Sequence, residues 1–197
     1  MDSQKKTIVI TGASQGIGEG LANAFLERNY NVVATSRKIS ARFPYGVSDT
    51  VALVDGDIAD PATATRIAAI AVERFGSIDA LINNAGIYLS KPFLEYTLED
   101  FRKLSSINLE NFLHLTQLAV KQMLAQKTGG SVVNIGASTA DHPIAGVNAS
   151  VAMITKGGIH PSPKASRWNT HERESASTSW LPASSTRQCI TVGQRIS

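Results

Sequence analysis

The chain has 197 residues, of which 43% are hydrophobic, enough for one domain with a real core. Its formal charge of +3 lies wholly after Pro161, where Lys164, Arg167, Arg173, Arg187 and Arg195 oppose only Glu172 and Glu174, so the neutral body argues against a nucleic-acid footprint. No apolar run approaches the roughly 18 residues of a membrane span, no apolar signal region precedes the first strand, and the lone Cys189 cannot close an internal disulfide; a cytoplasmic protein with neither nucleic-acid nor membrane partners is expected.

In chain order, short apolar runs at 7–11, 31–36, 51–55, 80–83 and 131–135 read as strands, each continuous rather than alternating and therefore buried on both faces. Helical periodicity falls between them at 16–28, 61–75, 97–125 and 147–157. Two helix starts are signalled chemically: Asp60 before Pro61 as cap and first residue, and Thr97 with Asp100 as a capping box. Alternating strands and helices predict an α/β chain, a Rossmann-type doubly wound parallel sheet.

The run Thr11-Gly12-Ala13-Ser14-Gln15-Gly16-Ile17-Gly18 follows the first strand and opens the first helix. Glycines there permit a tight turn and close backbone approach to a pyrophosphate, while the helix N-terminus supplies free amides and a positive dipole. A P-loop is excluded because no Gly-Lys-Ser/Thr follows. Gly12, Ser14, Gln15, Gly16, Ile17 and Gly18 are therefore candidate cofactor-binding residues. At the end of the second strand stand Ser36-Arg37-Lys38, and no acidic residue occurs between Glu27 and Asp49. An acid there would take a ribose 2′-hydroxyl, whereas a guanidinium suits a 2′-phosphate. NADP(H) is expected in preference to NAD(H), with Arg37 as the contact.

The spacing Gly-x-x-x-Gly-x-Gly resembles the signature of the classical short-chain dehydrogenase/reductase family. Further motifs agree with it: Asp57-Ile58 after the third strand, Asn83-Asn84-Ala85-Gly86 on the fourth, and Ile107-Asn108-Leu109 in a helix. The resemblance runs through Lys156-Gly157-Gly158. It implies cofactor contacts at Asp57, Ile58, Asn84, Ala85, Gly86 and Lys156, hydride transfer between a nicotinamide and a small carbonyl or alcohol, and a homo-oligomer in intact members. It implies no metal ligands.

The same resemblance implies a catalytic tyrosine four residues before the lysine, a serine that orients the substrate oxygen, and a supporting asparagine. Lys156 and Asn108 fit, but the tyrosine position holds Ala152, and a methyl cannot transfer a proton. The serine position falls on Ala137, with Ser138 one residue late; the longer loop before Lys156 leaves Ser138 as the candidate. Tyr88 is placed near the cleft, as are Ile87 and Ile144, whereas His114 and His142 read as structural or solvated.

Beyond residue 159 the sequence turns to Ser, Thr, Arg and Pro without periodicity, and the family's continuing helix and strand are absent. Rebuilding codons one base out of register from Pro161 permits Leu-Thr-Gln-Ser-Leu-Ala-Met-Glu-Tyr, and later Arg-Val-Asn-Val-Val-Ala-Pro-Gly. Trp168 before Asn gives Glu in that frame, and Trp180 before Leu permits Ala. The expected organisation is thus an incomplete dinucleotide-binding domain over 1–159 and an irregular, out-of-frame tail over 160–197. C-terminal strands and helices would be missing or disordered, the fifth strand's outer edge open and assembly doubtful. The alternative reading is a non-catalytic dinucleotide-binding domain or inactive product.

Overall fold

Strand β1 (Thr7–Thr11) is buried along its whole length, which places it at the centre of the sheet. In the computed structural model it pairs in parallel with β2 (Asn31–Ser36) on one side and β4 (Ala80–Asn83) on the other. β3 (Val51–Asp55) extends the sheet beyond β2, and β5 (Gly130–Ile135) extends it beyond β4, both in parallel. The structure describes residues 5–159 apart from Tyr45, Asp141 and Pro143, together with the backbone of 180–182 and 189–196.

Alternation along the strands divides the core into two layers. Ile8, Ile10, Val32 and Ala34 pack with Ala22 of α1 (Gly16–Glu27). Val9, Val33, Leu81 and Val132 point the other way, onto Ala64 and Ile67 of α2 (Pro61–Phe75) and Leu115 and Ala119 of α4 (Asn111–Ala125). The sheet order β3-β2-β1-β4-β5 reverses direction between β1 and β4. Connections leave these two strands toward opposite sides, so a crevice opens at their C-terminal ends.

Both signalled helix starts are present: the Asp60 carboxylate accepts from Ala62 N at 2.9 Å ahead of Pro61, and Thr97 and Asp100 form a reciprocal capping box. The single helix expected over 97–125 is divided into α3 (Leu98–Ser105), a π turn at Ser106–Glu110, and α4. The π turn carries Asn108, whose side chain is bound to groups outside the helix; such insertions concentrate at functional sites. α5 (Ser150–Gly157) starts later than 147, because Gly146 at φ +80° and a Val147 N to Ile144 O bond make a turn there instead.

The edge of β5, expected to be open, is paired. β7 (Cys189–Ile196) lies antiparallel to it, and β6 (Trp180–Pro182) lies antiparallel to β7. An unpaired row of N–H and C=O groups is a template for any segment of suitable propensity, and Ile190-Thr191-Val192 has one. No parallel sixth strand is present among the described residues; the rest of the expected irregular tail lies outside them. No helix among the described residues is long and apolar enough to cross a membrane. Removing the α2 cap with Asp60→Ala is expected to lower stability by about 1 kcal/mol, read from the midpoint of urea denaturation.

Candidate active site

Gly12 turns the chain out of β1 at φ +66°, and Gly16 starts α1 at φ +61°, a region L side chains avoid. Close approach restricts the turn further. A Cβ on Gly12 would lie 2.9 Å from Ala85 Cα, and one on Gly18 would lie 2.6 Å from Asn84 Nδ2 and collide with Gly12 O. The turn is pinned to β4 from below: Asn84 N and Ala85 N donate to Thr11 Oγ1 at 3.0 and 2.9 Å. Asn84 Nδ2 donates to Thr11 O and Gly12 O at 2.9 and 3.1 Å. Asn83 faces inward instead, donating to Thr116 Oγ1 and Asn134 Oδ1 at 3.0 and 2.9 Å. No side chain caps the N-terminus of α1, so its first amides face the crevice as anion donors.

These elements enclose a cleft of about 780 Å³, within the range of small-molecule sites. Its wall includes Gly12, Ser14, Gln15, Gly16, Ile17, Arg37, Asp57, Ile58, Asn84, Ala85 and Gly86, so the structure brings these expected cofactor contacts into one place. Gly18 lies behind the turn as a packing glycine. Ser36 and Thr35 reach the same wall from β2, and Ile87 and Tyr88 from the segment after β4. Ile144 belongs to a smaller adjoining cavity of about 370 Å³ that shares Thr139, Val147 and Met153 with the main cleft.

Lys156 reaches from α5 to the back of the cleft wall at Gly86, its ammonium donating to Ala85 O and Ile135 O, both at 3.2 Å. Desolvation pushes its pKa down from the ordinary 10.5 to about 8. Gly86 makes room for it: a Cβ there would collide with Lys156 Cε and Nζ. Asn108 is buried beside it. Its Oδ1 accepts from Ile87 N at 2.8 Å, and its Nδ2 donates to Ile87 O at 3.1 Å and Thr155 Oγ1 at 3.0 Å. Asn108 thereby holds the backbone that follows Gly86.

The other expected catalytic positions lie differently. Ser138 opens the 3-10 turn Ser138–Ala140, where its carbonyl accepts from His142 N at 3.0 Å; its neighbours Ala137 and Thr139 form the cleft wall. Ala152 is 1% exposed and packs among Leu104, Ala149 and Val151. Thr139 Oγ1 donates to Met153 Sδ above it. Three threonines therefore contribute what motif reading did not supply: Thr11 as the hydroxyl that pins β1 to β4, Thr155 as the partner of Asn108, and Thr139 as a cleft hydroxyl. Thr155 carried a signal, being a polar residue directly before the lysine on a short apolar helix.

A crevice at the sheet reversal, a glycine-only turn and an uncapped helix N-terminus define a Rossmann-type dinucleotide-binding fold. The chain belongs to the short chain dehydrogenase family, whose model matches residues 6–161. The match ends where the sequence changes character. Over 156 residues the chain is 32% identical to an NADP-dependent (R)-specific alcohol dehydrogenase of Lentilactobacillus kefiri, covering 76% of this chain and 62% of that protein. Over 161 residues it is 32% identical to an L-rhamnose 1-dehydrogenase (NAD(P)(+)) of a Sphingomonas strain, covering 79% and 63%. Among solved structures, a short-chain dehydrogenase from Streptomyces avermitilis superposes with a TM-score of 0.70 at 27% identity, covering 81% of this chain and 58% of that one. The matched region thus spans under two thirds of these relatives' length.

Two measurements follow. Gly86→Ala is expected to force Lys156 off its carbonyls at a cost of roughly 1–3 kcal/mol, seen in chemical denaturation. The depressed pKa of Lys156 means that, between about pH 8 and 10.5, the unfolded chain binds more protons than the folded one at this group. Its contribution to stability therefore rises with pH across that window. Wild type should gain stability relative to Lys156→Met between about pH 7.5 and about pH 9.5; a constant difference would contradict the assignment.

Proposed function

We propose that this chain binds NADP(H) in preference to NAD(H). On this reading residues 1–159 are the nucleotide-binding and partial catalytic portion of an oxidoreductase acting on a small carbonyl or alcohol. The observation that carries the reading is Arg37 standing on the wall of the same cleft as the glycine turn. No acidic residue between Glu27 and Asp49 competes for a ribose 2′-hydroxyl. A planar guanidinium can offer parallel donors to a 2′-phosphate. The named NADP dependence of the Lentilactobacillus relative is consistent with it, and the Sphingomonas relative is named for both cofactors.

The residues present fit a dinucleotide, because the turn is open at Gly16, where a Cβ would meet nothing within 4 Å, and the uncapped start of α1 and Arg37 border the same cleft. Gly12, Ser14, Gln15, Gly16 and Ile17 would hold the pyrophosphate with Gly18 packed behind them, Arg37 the 2′-phosphate, and Asp57 and Ile58 the adenine side. Asn84, Ala85, Gly86 and Lys156 would hold the nicotinamide half. The cofactor supplies or accepts the hydride when bound. Below about pH 8 Lys156 holds a desolvated cation directly behind Gly86 of the cleft wall, and Asn108 fixes the Ile87 backbone beside it. Ser138 would steer a substrate oxygen only with movement of the turn it occupies; Thr139 already faces the cleft.

A second reading, a dinucleotide-binding domain without turnover, is favoured by one observation: the position four residues before Lys156 is a buried methyl, Ala152. The tail at 160–197 is read as an out-of-frame continuation, in keeping with a family match that ends at residue 161; resequencing the coding DNA tests this directly. Calorimetric titration with NADPH and NADH tests the cofactor. Tighter NADPH binding is expected, and Arg37→Ala should weaken it at least tenfold, about 1.4 kcal/mol, while leaving NADH nearly unchanged. Consumption of NADPH absorbance with a panel of carbonyls then separates the two functional readings, since the binding-only domain would show affinity without turnover.

A further inference from the structure

We propose that Asp55 and Ser40 form a clamp that sets cofactor discrimination, with Ser40 occupying a carboxylate that would otherwise accept a ribose 2′-hydroxyl and both residues positioning the Arg37 turn. The inference rests on the NADP(H) reading of the cleft. Its starting point is a carboxylate on the neighbouring strand rather than on β2, where an acidic cofactor determinant is normally sought.

Asp55 ends β3 directly beside Ser36, its Cα partner in the parallel ladder, and Gly56 N donates to Ser36 O at 3.0 Å. Alternation puts the side chains of Ser36 and Asp55 on the same sheet face. Ser36 and Arg37 line the cleft, as do Gly56 and Asp57 on either side of this crossing. A carboxylate therefore stands one strand away from the residues that face the 2′ position.

That carboxylate is occupied. Ser40 N donates to Oδ1 at 2.9 Å, and Ser40 Oγ donates to Oδ2. These donors are the main reason that Asp55 titrates below the usual carboxylate range, with the Arg66 guanidinium adding to the effect; Arg66 also donates to the Asp55 carbonyl. Just before Ser40, Ile39 is fully buried under the turn. The segment is thus tied at Ser36 by the ladder, at Ile39 by the core and at Ser40 by Asp55, and Arg37 and Lys38 project from the span between.

The chemistry distinguishes the two cofactors. A 2′-hydroxyl is a donor and gains from a free carboxylate oxygen, whereas a 2′-phosphate only accepts and is repelled by one. With Ser40 in place, each Asp55 oxygen already accepts one hydrogen bond from within the protein, and the carboxylate serves as an anchor for the turn.

The test is calorimetric titration of the full chain with NADPH and with NADH in wild type, Ser40→Ala, Ser40→Thr and Asp55→Asn, with thermal melts alongside. Ser40→Ala frees an oxygen and loosens the turn, so the NADPH-to-NADH affinity ratio should fall at least about fivefold, and Ser40→Thr should restore it. Asp55→Asn removes the charge but keeps one oxygen to accept from Ser40 N, with its amide NH2 able to donate to Ser40 Oγ, so the ratio should hold or rise. If Ser40→Ala does not fold, Asp55→Ala supplies the same reading of a loosened turn without the freed oxygen: the ratio should then fall through weaker NADPH binding alone. A wild type that prefers NADPH, with ratios unchanged in all folded variants, would overturn the clamp while leaving the cofactor reading standing. Equal wild-type affinities would overturn both.

Discussion

The Thr11 hydroxyl accepting two backbone N–H groups from Asn84 and Ala85 is the contact on which the site depends. It lies where the sheet reverses, at the point where β1 and β4 send their connections to opposite sides. Adjacent strand ends would splay there without a tie, and the tie makes the crevice a fixed shape. Its consequences pass outward in sequence. Asn84 brought close to Gly12 excludes a Cβ at Gly12 and Gly18, the glycine turn aims the first amides of α1 into the gap, and Ala85 O becomes available to receive Lys156. The glycine turn and the seat of the Lys156 ammonium are thus built from one local hydrogen-bond pattern at the strand crossing.

The lower half of the site shows a different balance. The lysine keeps its carbonyl partners, and Asn108 keeps its hold on Ile87 and Thr155. Ala152, four residues before the lysine, is absorbed into the apolar contact between α3 and α5. On the proposed reading, nucleotide recognition and proton transfer would draw on separable sets of residues. The glycine turn and its backbone ties are complete in this chain, whatever stands at position 152. This separation is why affinity and turnover have to be measured independently in this chain.

The parts of the fold that were legible in the sequence are those where one residue type has one physical use. Glycines at 12, 16 and 18 after an N-terminal strand admit few explanations, Asp60-Pro61 and Thr97-Asp100 are caps by chemistry, and continuous apolar runs mark strands covered on both faces. Threonine is less informative, because the same side chain can cap, fill or bridge. Thr11, Thr139 and Thr155 gained meaning only from their partners. Counting residues placed the serine position at Ala137 with Ser138 one residue late, and the 3-10 turn that Ser138 opens has Ala137 and Thr139 on the cleft wall to either side of it. The strand Cys189–Ile196 was invisible for another reason, since its pairing with β5 depends on an exposed ladder edge rather than on any pattern of its own.

The π turn at Ser106–Glu110 also explains how one long helical stretch serves two interiors. An extra residue in a helix rotates everything downstream by about 100°. Upstream, Leu104 faces α5; downstream, Leu115, Ala119 and Met123 face the sheet. The turn works as a phase shifter on a single shaft, coupling the layer that bears the lysine to the layer that bears the strands. Asn108 sits at the point of rotation, so the geometry of the cleft floor and the angular setting of the helix are one and the same adjustment.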